Sequence, residues 1–278
     1  MGSRDPQVGH PRRLTPAAAP AAAVFASIVV LAACAAHVAR PDADAVRALA
    51  PAGKLRVGVY AGSPTSMVRD ARTGEARGVS YELGRELAAR LGVPFEAVEY
   101  PRVAEVVEAI KAGRVDFTVT NASPARAKEI DFTSPILALE LGYLAPRGSA
   151  IMSAADVDRP GVRVGVTQGS TSQATLSKTL KSATLVAAPT VKAAVDLLSS
   201  GGIDVYATNK AILSEMSDQI AGSRILEGRW GLEHMAIGYP KGREAGAAYL
   251  RRFAETARSE GLVRRAAQRA GLRGAAEP

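Results

Sequence analysis

The chain has 278 residues, with 35 Lys or Arg against 27 Asp or Glu and a formal charge of +8. A hydrophobic share of 47% beside 22% charged residues excludes wholesale disorder and suits one large or two medium domains. One Cys and three His exclude an intrachain disulfide and a Cys- or His-rich zinc site, and no cofactor or metal is expected. Aromatics make up only 5%, and no basic run reaches five residues, so no nucleic-acid partner is expected. The densest basic part, Arg251 to Arg273, is broken by Glu255 and Glu260 and fits the solvated face of an amphipathic helix.

Arg12 and Arg13 precede an apolar stretch from Ala17 to Ala33 that contains Pro20. A membrane-spanning helix needs about 20 apolar residues, so this shorter stretch with a basic flank reads as a secretory signal over residues 1–33. It ends Leu31-Ala32-Ala33-Cys34, which resembles a bacterial lipobox. Cys34 is then the lipid-bearing first residue of the mature protein, which holds it to a membrane without spanning it. Residues 34–53, rich in Ala, Asp and Pro, are expected to tether the folded body. The expected location is periplasmic or cell-surface, as a membrane-anchored lipoprotein.

The body repeats itself. Arg56-Val57-Gly58-Val59 runs into Tyr60-Ala61-Gly62-Ser63, and Arg163-Val164-Gly165-Val166 runs into Thr167-Gln168-Gly169-Ser170. Later in each half, Val115-Asp116-Phe117-Thr118-Val119-Thr120-Asn121 matches Ile203-Asp204-Val205-Tyr206-Ala207-Thr208-Asn209. Between the two echoes lie helical patterns. Val103, Val106, Val107 and Ile110 repeat at one-turn spacing, as do Val191, Ala194, Val195 and Leu198 behind a candidate cap at Thr190. Another pattern from Ser80 puts Val79, Leu83, Leu87 and Leu91 on one face. The strands are short, apolar and β-branched, as in parallel sheets covered on both faces. Two α/β lobes follow.

In such sheets ligands sit outside the carboxyl ends of the strands. That puts Tyr60 and Ser63, Thr120 and Asn121, Gly169 to Thr171, and Asn209 on one cleft if the lobes face each other. Ser170, Thr171 and Ser172 stand before a helix whose N-terminus favours an anion. Arg126 follows the Asn121 strand end within five residues, and a guanidinium forks onto a carboxylate with two hydrogen bonds.

From Lys54 to about Gly271 the chain resembles the bacterial extracellular solute-binding proteins of family 3, the amino-acid type of ABC transporters. The resemblance is carried by Lys54-Leu55-Arg56-Val57-Gly58-Val59, Gly78-Val79-Ser80-Tyr81-Glu82-Leu83, Ser123-Pro124-Ala125-Arg126, and Val164-Gly165-Val166-Thr167-Gln168-Gly169-Ser170-Thr171. It implies a two-lobe type II periplasmic-binding fold, α/β, each lobe a mostly parallel sheet flanked by helices. Lobe one is expected over 54–143 and 240–278, lobe two over 148–235, with hinge crossings at 144–147 and 236–239. It also implies that Arg126 clamps a ligand carboxylate and that Gly169, Ser170 and Thr171 bind it from lobe two. A small anionic or zwitterionic solute and a membrane ABC permease are the implied partners, and a monomer is expected.

The chain also departs from the pattern. Amino-acid members often carry an aromatic where Ser63 stands, an Asp at Ser80, a Thr or Ser at Asn121, and at Asn209 an Asp that holds the ammonium. The ammonium half of the site is therefore expected to be weakened, with a deaminated carboxylate or an amine contacted elsewhere as the ligand. Trp230 near the return crossing is a candidate cleft wall. Two rivals to transport are a cyclohexadienyl-dehydratase-like enzyme and a ligand-sensing lipoprotein. Against the enzyme, relatives place a Glu where Ile212 stands, so no enzyme activity is expected.

Overall fold

The computed structural model describes residues 1–2 and 41–276, so the signal reading over 1–33 and the lipidation of Cys34 lie outside the described residues. Residues 41–276 fall in one compact unit. It opens with α1 (Ala43–Leu49), β1 (Leu55–Tyr60), β2 (Val68–Arg69), β3 (Ala76–Arg77), α2 (Val79–Leu91) and β4 (Phe95–Tyr100). Next come α3 (Val103–Lys111), β5 (Thr118–Asn121), α4 (Pro124–Ala127), β6 (Asp131–Phe132) and the long β7 (Leu137–Ala145). The second half holds β8 (Arg163–Thr167), α5 (Thr171–Thr179), β9 (Thr184–Ala188), α6 (Val191–Ser199), β10 (Val205–Asn209), α7 (Lys210–Gln219) and β11 (Arg224–Ile225). The chain returns through β12 (Gly231–Tyr239) to α8 (Glu244–Ser259), α9 (Leu262–Arg269) and β13 (Ala275–Ala276).

The described part of the expected tether is not a linker at its end. The Asp42 carboxylate accepts the Ala45 N–H at 2.6 Å and caps α1. Ala45 and Leu49, one turn apart, are buried, and Leu49 packs against Gly246 of α8. An Ala-rich segment with a cap and an apolar pair at i, i+4 is a helix that docks, not a spacer.

Each lobe begins with parallel strands, as the internal repeat requires. β1 pairs β4 in parallel, and β8 lies parallel to both β9 and β10. The joining strands are antiparallel: β5 to β12, and β10 to β7. The helices cover these strands with the faces read from periodicity. Val106, Val107 and Ile110 of α3 are buried, as are Ala194 and Leu198 of α6, whose cap Thr190 accepts the Ala193 N–H at 3.0 Å. Tyr249, Leu250 and Phe253 of α8, with Val263 and Ala266 of α9, join the core of lobe one.

The strands β7 and β12 belong to both lobes. Leu137 and Leu139 lie in the first core, whereas Tyr143, Leu144 and Ala145 lie in cores of the second. On the return, Trp230 packs on a core of lobe two, while Met235, Ile237 and Tyr239 lie in that of lobe one. The crossing therefore falls nearer Glu140–Gly142 and Gly231–His234 than the expected 144–147 and 236–239. Glu140, Glu233 and His234 fall at this junction, where the cores of the two lobes end. Among the described residues, no helix is long and apolar enough to cross a membrane, and no group of His, Cys, Asp and Glu is placed to hold a metal ion.

Candidate functional site

The carboxyl ends of β1, β5, β8 and β10 converge on a narrow cleft between the lobes. Of the residues expected there, Tyr60, Thr120, Asn121 and Arg126 line it from lobe one, and Ser170, Thr171 and Asn209 from lobe two. Ser63, Ser80 and Gly169 do not line it. Ser63 is wholly buried, its hydroxyl bonded to that of Thr65 at 2.9 Å. Ser80 accepts the Val119 N–H at 3.0 Å and so ties α2 to β5. Gly169 turns the chain at φ 73° beside Ala104 of the facing lobe. Trp230 also lies outside the lining: its Nε1 donates to the Gly142 carbonyl at 2.9 Å, and its ring lies 6.1 Å from that of Tyr143.

Arg126 is positioned by a short helix. Ser123 caps α4 by accepting the Arg126 N–H at 3.4 Å, which turns the side chain back over the end of β5. Its Nη1 donates to Thr120 Oγ1 at 2.7 Å and to the Asn121 carbonyl at 3.5 Å. The residue is only 9% exposed. Burial pushes the guanidinium below its ordinary pKa, while Glu233 and Tyr60 act in the opposite direction. The group stays charged, since the ordinary value lies far above neutrality. These bonds use only Nη1, so among the described residues the remaining N–H donors are available for a forked acceptor.

Across the cleft, Ser170 caps α5 by accepting the Gln173 N–H at 3.0 Å, and Thr171 starts the helix. Asn209 caps α7, its Oδ1 accepting the Ile212 N–H at 3.1 Å. Two helix N-termini thus face the same space, with their partial positive charge.

A residue not among those expected lies between them. Glu233 lines the cleft and is 6% exposed. Its Oε1 accepts from Thr171 Oγ1 and, at 3.5 Å, from Asn121 Nδ2. Its Oε2 accepts from Asn209 Nδ2 at 3.0 Å. The cleft therefore holds one carboxylate in its lining, supplied by the return strand β12 rather than by position 209. The signal for it was a Glu within two residues of the apolar run Met235 to Ile237, because charged residues are seldom buried without a partner. Arg102, Val103, Val191, Ile212 and Met235 complete much of the wall. Their positions depend on how the lobes meet, which no local pattern reports.

Three comparisons bear on this architecture. The family model described as bacterial extracellular solute-binding proteins, family 3, matches residues 55–269. A glutamine-binding protein of Geobacillus stearothermophilus is 24% identical over 193 residues, 68% of this chain and 73% of that protein. The ABC transporter glutamine-binding protein GlnH of Bacillus subtilis (strain 168) is 22% identical over 245 residues, 84% of this chain and 89% of that one. Among solved structures, a solute receptor for L-cysteine of Neisseria gonorrhoeae superposes with a TM-score of 0.72 at 24% identity, over 81% of this chain and 92% of that chain. Likeness at that identity shows the fold, which is the type II periplasmic-binding architecture.

Proposed function

The chain belongs to the bacterial extracellular solute-binding proteins of family 3, and from that premise we propose how it works. It captures a small carboxylate-bearing solute, an amino acid or related acid, between its lobes and delivers it to a membrane ABC permease. The observation that carries this reading is Arg126, buried, anchored through Nη1 to Thr120 and directed into the cleft at the end of β5. Closure brings the lobes together around the solute, and affinity arises from donors held in place beforehand. No bond is made or broken. The dehydratase-like alternative needs a proton donor where Ile212 presents an alkyl chain to the cleft.

The same reading places the protein outside the cytoplasm, held through lipid on Cys34 and acting as a monomer. The relatives named for glutamine and the neighbour named for L-cysteine make small neutral amino acids the first probes.

The test is isothermal titration of the purified chain with a panel of small amino acids, repeated on Arg126→Ala and Arg126→Lys. Removal of a buried charge-assisted partner costs about 2–5 kcal/mol, so Arg126→Ala is expected to abolish measurable binding with the fold retained. Arg126→Lys is also expected to bind poorly, because a point charge lacks the fork. Affinity within a few-fold of wild type in Arg126→Ala would move the anion site elsewhere.

A further inference from the structure

The charges around the cleft are divided between its two faces. Arg126 stands on the face of lobe one, together with Arg102. Glu233 stands against lobe two, taking up the Thr171 hydroxyl and the Asn209 amide at the N-termini of α5 and α7. These are the donors that would otherwise receive an anionic ligand group, so the protein's own carboxylate already fills the anion site of lobe two. A second carboxylate placed there meets a like charge at close range in a partly dehydrated space, which is unfavourable.

Glu233 is more than nine-tenths buried, yet among the described residues its bonds come from neutral donors only. No Lys, Arg or His among them forms an ion pair with it. A carboxylate offers about four acceptor positions, of which these donors use three. Asn209 explains the arrangement. Its amide is used at both ends, Oδ1 on the helix cap and Nδ2 on Glu233, and an Asp could make only the first of these bonds.

We propose that Glu233 is the specificity-determining residue that receives the cationic amine of the solute, so that the ligand is a zwitterionic amino acid lying with its carboxylate on Arg126 and its ammonium on Glu233. This rests on the carboxylate-binding reading of the same cleft. It replaces the expectation of a weakened ammonium half: the negative charge missing at position 209 is present, carried by β12. Because Glu233 sits in the ribbon that crosses between the lobes, opposite Leu139 of β7, it reaches donors on both of them.

The experiment titrates wild type, Glu233→Gln, Glu233→Asp and Arg126→Lys with paired probes. The amino acids are L-alanine, L-serine, L-cysteine and L-glutamine. Their deaminated partners are propionate, 3-hydroxypropionate, 3-mercaptopropionate and 4-carbamoylbutanoate. Wild type is expected to prefer an amino acid over its partner by about tenfold or more, because the deaminated acid lacks the charged hydrogen bond to Glu233 altogether. Glu233→Gln is expected to weaken the amino acid by about tenfold and to leave the deaminated acid unchanged or tighter. Glu233→Asp keeps the preference, and Arg126→Lys weakens both series together.

The ratio between paired probes is insensitive to a general loss of stability. The proposal is overturned if wild type binds a deaminated acid as tightly as its amino acid. It is also overturned if Glu233→Gln tightens the amino acid, which would make Glu233 an internal competitor for the ligand carboxylate. In both cases the carboxylate-binding reading survives, provided that Arg126→Lys loses both series. Binding of neither series by wild type would overturn that reading and the proposal with it.

Discussion

Arg163 grips Asp204 with its backbone N–H at 2.7 Å, its Nε at 3.0 Å and its Nη2 at 2.8 Å. In lobe one, Arg56 makes the same three kinds of contact to Asp116, at 3.1, 2.8 and 2.8 Å. Each pair joins the first strand of a lobe to the residues just before β5 or β10, so the sequence echo is a repeated ionic clasp. The copies differ in burial and in partners. The Asp116 side chain is fully buried and also accepts from Arg243 at 3.2 Å, whereas that of Asp204 is 33% exposed.

Asp116→Ala is therefore expected to destabilise the protein by about 3–5 kcal/mol, since it strands two partly buried guanidinium groups. Asp204→Ala is expected to cost about 1 kcal/mol or less, because solvent screens that pair. Urea unfolding of the two variants measures the difference, and equal losses would refute it. Arg163 holds the Asp204 carboxyl below its ordinary pKa. Its contribution is thus complete above the ordinary Asp range and is lost as pH falls through the depressed value of the folded state.

Gly169→Ala tests closure. A Cβ at Gly169 would lie 2.5 Å from the Cβ of Ala104 on the other lobe, in addition to the strain of a positive φ. The contact exists only when the lobes meet. Overpacking of this kind costs about 1–3 kcal/mol, so solute affinity is expected to fall roughly tenfold. The φ strain alone is common to open and closed forms, so it cancels from the affinity and lowers the melting temperature without solute by only a few degrees. A large loss of unliganded stability with unchanged affinity would show that the residue acts within its own lobe.

Asn209→Asp keeps the acceptor that caps Ile212 but turns the donor toward Glu233 into a second carboxylate. Like charges at hydrogen-bond distance repel. The variant is expected to melt below wild type at pH 7, with the gap narrowing as the solution is acidified into the carboxylate range and one proton bridges the pair. A gap independent of pH would mean that the two side chains are not in contact in solution.

Cys34→Ala addresses the anchor. If Cys34 carries lipid, the full-length variant moves from the membrane fraction to the soluble fraction of the producing cells, with the fold of the body unchanged. Membrane association equal to wild type would end the lipoprotein reading.

Much of the fold was legible because it rests on local patterns. The helical faces of α3 and α6, the Thr190 cap and the strand ends at Asn121 and Asn209 each need only a few neighbouring residues to specify them. Arg126 was legible because it follows the Asn121 strand end within five residues, and the structure turns it back over β5 through the short α4. Glu233 was not placed, because its partners Thr171, Asn209 and Asn121 are distant in sequence and meet only after both lobes have formed. Helix α1 was missed because Ala, Asp and Pro compose linkers as readily as capped helices, and only Gly246 on α8 decides between them. Ser63 was placed at the ligand from its strand end and Ser80 from the family pattern, whereas their hydroxyls serve Thr65 and Val119.

The ladder between β7 and β12 is unbroken through the crossing, from Leu137 opposite Met235 to Leu141 opposite Gly231. With β13 on the other side of β7 at Ala138 and Leu139, the crossing is a ribbon of at most three strands, and so narrow a ribbon twists with its hydrogen bonds intact. Parting of the lobes is then the torsion of a spring rather than the bending of two loose joints, and no backbone bond of the ladder need break. In deuterium oxide, amides of this ribbon should exchange slowly with or without solute, while those at the cleft edges respond to it. Glu233 lies at the middle of the spring, so the residue that feels the solute's charge also feels the twist.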